Sequence, residues 1–276
     1  MTSPQIDRSA AAPALSQDDV RAIDQTVQVM GRARRLLFIT GAGISAESGL
    51  PTYRGRDGLY RAHQETAHHL PIEEALSGVM LQVRPEITWH YLLELEKTTR
   101  HAAPNRGHRV IAEMDEYFDA VWVLTQNVDG LHHRAGSRNI VDLHGNLHEL
   151  QCMRCGARTT TPDYAGLPIP PRCDDCGGII RPSVVLFGED LSPDKLTRLW
   201  REMARGFDVI FTVGTSSLFE YIIEPIRMGQ ARGVPTVEIN PEMTTVSSIV
   251  DYKIRGAAGA VLDLIWERYL AWWPRT

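Results

Sequence analysis

The stretch LHGNLHELQCMRCG, residues 143–156, sets His144 and His148 just ahead of Cys152 and Cys155, and the remaining two cysteines, Cys173 and Cys176, follow seventeen residues later. Two Cys-x2-Cys pairs at this separation match a zinc ribbon, in which two knuckles deliver four thiolates tetrahedrally. Gly156 and Gly177 follow the pairs, where a tight knuckle needs a residue that tolerates positive φ. The competing readings are two disulfides or four unrelated thiols, and an acidic chain without a secretory signal disfavours both. Four thiolates close the coordination shell, so the metal would be structural, with no open position for water. His144 and His148 are then not needed as ligands. His148 is assigned no role, and His144 calls for a separate explanation.

A second device precedes them. In LLFITGAGISAESGLPTYRG, Gly41 and Gly43 follow an apolar strand and precede a helix expected to start near Ser45. Small residues at such a turn let backbone N–H groups approach a pyrophosphate. A lone Gly-x-Gly is equally what any tight strand-to-helix turn requires, and the third glycine of the dinucleotide fingerprint is absent. Other expected strand ends add to it: Gly214, Thr215 and Ser216 after one, Asn240 and Glu242 after another, and Gln126, Asn127 and Asp129 in TQNVDGLH after a third. In an open parallel sheet, ligands bind at the carboxyl ends of the strands. His144 closes a strand at that same edge, where a general base belongs, although a turn histidine bonded to a carbonyl would look the same in sequence.

These residues need a sheet to align them. LLFIT (36–40), AVWVLT (120–125), NIVDL (139–143), DVIFTV (208–213) and PTVEIN (235–240) are short, continuous and rich in Val and Ile, as buried parallel strands are. Helical periodicity lies between them at about 107–118, 193–205, 220–231 and 258–272. An earlier helix is expected from Ser16, paired with Asp19 in a capping box, to about Arg35. The alternation predicts an α/β, doubly wound, Rossmann-like parallel sheet formed by residues 17–55, 104–148 and 183–276. A helical insertion at 56–103 and the zinc-ribbon insertion at 149–182 would form a smaller domain beside it. Residues 1–16, rich in Ala, Ser and Pro, read as a disordered tail.

With 276 residues and 43% hydrophobic content the chain can bury a large core. A formal net charge of -5 gives no general field for nucleic acid phosphates. No apolar run reaches membrane-spanning length and no secretory h-region is visible, so neither nucleic acid nor membrane is an expected partner, and a cytoplasmic location is expected.

GAGISAESGLPTYRG, TQNVDGLH, LHG, the four-cysteine ribbon, RPSVVLFGE, GTS and INPE occur in the order found in the sirtuins, the NAD-dependent protein lysine deacylases, and the chain resembles that family over about residues 20–272. The resemblance implies that Gly41, Ala42, Gly43 and Ser45 form an NAD phosphate loop. Tyr53 and Arg54 would lie in a flexible cofactor loop, where the family more often has Phe in place of Tyr53. It further implies that Gln126, Asn127 and Asp129 hold nicotinamide and ribose, with His144 as the base. Gly214, Thr215, Ser216, Asn240, Glu242 and, more weakly, Ala258 match the adenosine half. Val185 and Phe187 resemble walls of an acyl-lysine tunnel, and Gly188-Glu189 with residues 217–219 would sandwich the acylated peptide substrate as an added strand.

The implied products are nicotinamide, O-acyl-ADP-ribose and free lysine. Relatives that prefer succinyl or malonyl lysine resemble one another in a Tyr-x-x-Arg pair. Here Tyr91 is followed by Leu92, Leu93 and Glu94, and a carboxylate at that spacing would repel an acidic acyl tail. Acetyl or another neutral acyl group is therefore expected, although an amphipathic helix set only by packing would read the same way. Mono-ADP-ribosyl transfer and a non-catalytic NAD-sensing module are the alternatives.

Overall fold

The computed structural model describes residues 15–52 and 70–273. The two ends of the chain's capping signal meet as expected: the Asp19 N–H donates to Ser16 Oγ at 3.1 Å and the Ser16 N–H donates to the Asp19 carboxylate at 3.0 Å, starting helix α1 (Gln17–Met30). The helix stops at Met30, short of the expected Arg35. The Asp208 carboxylate accepts the N–H groups of both Arg34 and Arg35, at 2.7 and 2.8 Å, and so draws that segment into the sheet as the start of β1 (Arg35–Thr40).

The other strands of the main sheet are β2 (Ala120–Thr125), β3 (Asn139–Asp142), β7 (Val209–Val213), β8 (Thr236–Ile239) and β9 (Tyr252–Ile254). All pair in parallel, in the order β3-β2-β1-β7-β8-β9, so the chain reverses direction of travel across the sheet between β1 and β7. That is the doubly wound order, and its switch point is where ligands bind. Strand β9 was not expected; its three residues YKI carry no apolar run. Phe38 and Phe211 stack at 4.5 Å across the switch point.

Helices cover both faces because the strands are apolar on both. α1, α5 (Arg106–Glu113) and α9 (Ala258–Trp272) bury Ile23, Val27, Ile111, Leu262 and Ile265 on one face. α7 (Pro193–Arg205) and α8 (Glu220–Ala231) bury Leu199, Met203, Ile222 and Ile226 on the other. Each of these side chains removed from water contributes roughly 1.5–3 kcal/mol. The short α6 (Leu131–Ala135) follows β2.

The small domain combines α2 (Ile72–Ala75), α3 (Gly78–Val83) and α4 (Pro85–Arg100) with an antiparallel sheet of β4 (Gly145–Cys152), β5 (Arg158–Thr160) and β6 (Ile180–Val184), ordered β5-β4-β6. Strands β4 and β6 reach past the expected insertion limits, so the ribbon's sheet begins at the residue after His144. Trp89, Leu92, Leu147, Leu150, Tyr164 and Leu186 form its core. The Trp89 indole N–H donates to the Ile180 carbonyl at 2.9 Å, tying the helical insertion to the ribbon. No helix among the described residues is long and apolar enough to cross a membrane.

Candidate active site

The glycine loop leaves β1 in extended conformation at Gly41 and enters a 3-10 turn, Ala42–Ser48, rather than the α-helix expected from Ser45. Two bonds hold the tighter winding. The Gly43 N–H donates to the Gly214 carbonyl at 2.8 Å, and Ser45 Oγ donates to the Asp129 carboxylate at 2.7 Å. Glycine is required by close approach: a Cβ on Gly43 would lie 2.6 Å from Gly214 Cα.

The residues after β2 lock onto this loop. The Asn127 side-chain amide donates to the Gly41 carbonyl at 3.1 Å and to Ser45 Oγ at 3.2 Å. The Asn127 N–H donates to Thr125 Oγ1 at 3.1 Å. Asp129 is buried, and burial pushes its carboxyl above the ordinary range against the Leu131 N–H and the Ser45 hydroxyl, which favour the charged form. The Gln126 amide donates to Thr215 Oγ1 at 2.7 Å, and the Asn240 amide to the Thr215 carbonyl at 3.0 Å, joining the ends of β2, β7 and β8.

His144 lies at the mouth of the sheet with Nδ1 3.0 Å from the Gln126 carbonyl and Nε2 2.9 Å from the Tyr221 hydroxyl. Burial lowers the imidazole pKa below its ordinary value, the Gln126 carbonyl opposes this, and the charge of Lys195 adds to it. The ring is thus neutral at neutral pH, as a base must be.

A cavity of about 980 Å³ runs along this edge. Of the residues singled out in sequence, Gly41, Ala42, Gly43, Gln126, Asn127, His144, Val185, Phe187, Gly188, Glu189, Gly214, Thr215, Ser216, Asn240, Glu242 and Ala258 line it. Ser45 and Asp129 line a small adjoining pocket of about 30 Å³ that shares Ala42, Leu95, Asn127 and Val128 with the large one. Tyr53 and Arg54 lie outside the described residues. Glu189 has its carboxylate engaged by Arg181, at 2.5 and 2.8 Å, and by the Leu186 N–H at 2.9 Å, and its own N–H donates to the Leu186 carbonyl at 3.1 Å.

The end of the cavity next to α4 differs from the sequence expectation. Glu94 is exposed and pairs with Lys97 at 2.7 Å, and neither Tyr91 nor Glu94 lines the cavity. Leu92 and Leu95, one turn apart on α4, line it instead. The wall there is apolar, and the repulsion argued for Glu94 does not operate. Leu92, Leu95 and Tyr221 were missed in sequence. The first two sit beside the pair considered and need only the rotation of α4 to be found, whereas Tyr221 stands just past the 217–219 loop, inside an ordinary helical pattern.

The sulfur atoms of Cys152, Cys155, Cys173 and Cys176 all lie within 4.8 Å of one another, with Cys152–Cys176 at 3.4 Å and Cys155–Cys173 at 3.7 Å. Tetrahedral zinc with bonds near 2.3 Å requires sulfur separations of about 3.8 Å, so the cluster fits that ion. Gly156 and Gly177 take φ of 75° and 69° in the knuckles. No histidine joins the cluster among the described residues. His148 lies on β4 with its N–H on Asn146 Oδ1.

A glycine turn at the switch point of a doubly wound sheet, a buried amide and carboxylate beside it, a neutral histidine and a four-thiolate ribbon together define a dinucleotide-binding enzyme class with a structural metal. Comparison with known proteins then gives the family: residues 41–220 match the Sir2 family, and the chain belongs to it. It is 46% identical over 244 residues to "NAD-dependent protein deacylase 2" of Pseudomonas aeruginosa, covering 87% of this chain and 94% of that protein. It is 39% identical over 241 residues to "NAD-dependent protein deacylase 1" of Archaeoglobus fulgidus, covering 87% and 95%. Among solved structures, a Sir2 homolog–NAD complex superposes with TM-score 0.81 at 36% identity, covering 90% of this chain and 94% of that one. A Sir2–p53 peptide–NAD+ structure superposes with TM-score 0.76 at 28% identity, covering 89% and 98%.

Proposed function

We propose that this protein removes neutral acyl groups from lysine side chains of proteins, consuming NAD and releasing nicotinamide, O-acyl-ADP-ribose and free lysine. The observation that carries the reading is His144, neutral and facing the cavity that also holds the glycine loop and Asn127. The relatives named as NAD-dependent protein deacylases and the neighbour bound to both a peptide and NAD+ support it.

When bound, NAD supplies a ribose carbon that loses nicotinamide and accepts the acyl oxygen. Gly41, Ala42 and Gly43 are suited to hold its pyrophosphate through backbone N–H groups. Thr215, Ser216, Asn240, Glu242 and Ala258 would border the adenosine half. Asn127 and Asp129 would orient the nicotinamide amide, and Gln126 the ribose. His144 takes a ribose hydroxyl proton as general base. Val185, Phe187, Leu92 and Leu95 would enclose the acyl chain, and an apolar end of this kind has no use in a cofactor sensor or in ADP-ribosyl transfer. The metal stays outside the chemistry and braces the small domain. A four-thiolate site suits a reducing compartment, which supports a cytoplasmic location.

The test is mass spectrometry of products from NAD and a panel of acyl-lysine peptides. Nicotinamide and O-acyl-ADP-ribose are expected from acetyl and longer neutral acyl peptides, and His144→Ala should abolish the second product while NAD binding persists. Faster turnover of the succinyl peptide, or an active His144→Ala variant, would overturn the reading.

A further inference from the structure

The Gln126 carbonyl oxygen can only accept a hydrogen bond, so the hydrogen of His144 resides on Nδ1 and the lone pair on Nε2. The Tyr221 hydroxyl, 2.9 Å from Nε2, therefore donates to that lone pair. A base takes a proton with its lone pair, and in this protein a phenol covers it. Tyr221 and His144 both line the cavity. The phenol is held in place from the first turn of α8, where its ring stacks on Phe219 at 5.2 Å and 6° and meets the His144 ring edge-on at 6.0 Å.

We propose that Tyr221 is a member of the acid–base machinery, relaying to His144 the proton that leaves the ribose hydroxyl. The ribose O–H bond breaks and a new O–H bond forms on the Tyr221 oxygen. The original Tyr221 O–H bond breaks and Nε2–H forms, leaving an imidazolium and a ribose alkoxide with the tyrosine unchanged. No further reactant is consumed. The relay rests on the deacylase reading above and assigns it an additional residue.

The same contact tunes the base. A phenol donating to Nε2 favours the neutral imidazole and so depresses its proton affinity. The groups facing His144 are the Gln126 carbonyl from the end of β2, Tyr221 and Phe219 from α8 and its approach, and Lys195 from α7, whose ammonium donates to the Asp142 carbonyl at 2.6 Å. Of these, Tyr221 is the one that touches the lone pair.

Tyr221→Phe removes the hydroxyl and keeps the ring stack. In the unliganded protein, an NMR titration of the His144 imidazole is expected to move its midpoint upward by about half a pH unit or more. With NAD and an acetyl-lysine peptide, labelled nicotinamide exchange precedes the base step and should stay within about twofold of the parent. O-acetyl-ADP-ribose formation should fall about tenfold or more at unchanged KM. An unmoved midpoint, undiminished product formation, or exchange and product falling together would each overturn the relay. His144→Ala is run alongside. If it forms product at the parent rate, or the parent forms none, the deacylase reading fails; if those two behave as expected and Tyr221→Phe matches the parent, only the relay fails.

Discussion

Ser45 Oγ lies 2.7 Å from the Asp129 carboxylate, and this bond, with those of the Asn127 amide to Gly41 and Ser45, joins the glycine loop to the segment after β2. It is formed inside the protein, where the carboxylate gives up hydration and, among the described residues, meets two donors, Ser45 and the Leu131 N–H. Asp129→Asn keeps an oxygen acceptor for the Leu131 N–H and turns an amide N–H towards Ser45 Oγ, which can accept it, while relieving the burial of a charge. The expected outcome is a melting temperature at pH 8 equal to or above that of the parent. A loss of roughly ten- to a hundredfold in kcat/KM should accompany it, the worth of one charge-assisted bond to the ligand. Thermal melts and steady-state kinetics on the same preparations check both halves.

Leu92 and Leu95 make the cavity apolar at the end proposed to take the acyl chain. Leu95→Arg should place a guanidinium where an acidic acyl tail would end, as charge-assisted pairing with a carboxylate requires. The ratio of desuccinylation to deacetylation is expected to rise about tenfold or more, with hexanoyl turnover falling. An unchanged ratio in paired peptide assays would show that α4 does not set acyl choice.

His108 and His132 are both buried with rings 4.8 Å apart, behind the site. Burial lowers the His108 pKa to about 4 and holds His132 well below its ordinary value. Both are neutral in the folded protein, whereas in the unfolded chain they gain protons once the pH drops below about 6.5. The unfolded state then binds more protons, so stability is full above pH 6.5 and is lost as pH falls from there towards 4. His108→Gln should remove on the order of 2–3 kcal/mol of that loss, seen by comparing urea unfolding of both proteins at pH 7.5 and pH 4.5.

The four sulfurs fit one zinc ion, and the expected stoichiometry by atomic emission is one metal per chain. Cys173→Ser should lose the metal and lower the melting temperature by about 10 °C or more, because the binding energy of a structural site is folding energy. Trp89 reports the same event, since its indole bonds to Ile180 in the ribbon; its emission should shift to the red on metal removal.

The strands that carry the site were readable because buried parallel strands are continuous apolar runs, and their ends located Gln126, Asn127, His144, Gly214 and Asn240 without any knowledge of packing. The failures are tertiary. Arg34 and Arg35 leave the helix because a carboxylate 173 or 174 residues away accepts their N–H groups, which no local pattern encodes. The turn at Ser45 winds as a 3-10 segment because Gly214 and Asp129 hold it. Choosing Tyr91 and Glu94 over Leu92 and Leu95 was an error of rotation about one helix axis, and only the packing of α4 against the ribbon fixes that rotation. Tyr221 looked like any aromatic residue in an amphipathic helix until His144 was found beside it.

Gly145 takes a φ of 90° directly after His144, and the Val185 N–H donates to the His144 carbonyl at 2.8 Å where the chain returns from β6. Both crossings between the ribbon and the main sheet therefore converge on the histidine backbone. The Leu147 N–H, donating to the Val128 carbonyl at 3.0 Å, adds a second anchor beside it, so the seam that carries the ribbon is also the seat of the imidazole, and a change that loosens one is felt at the other.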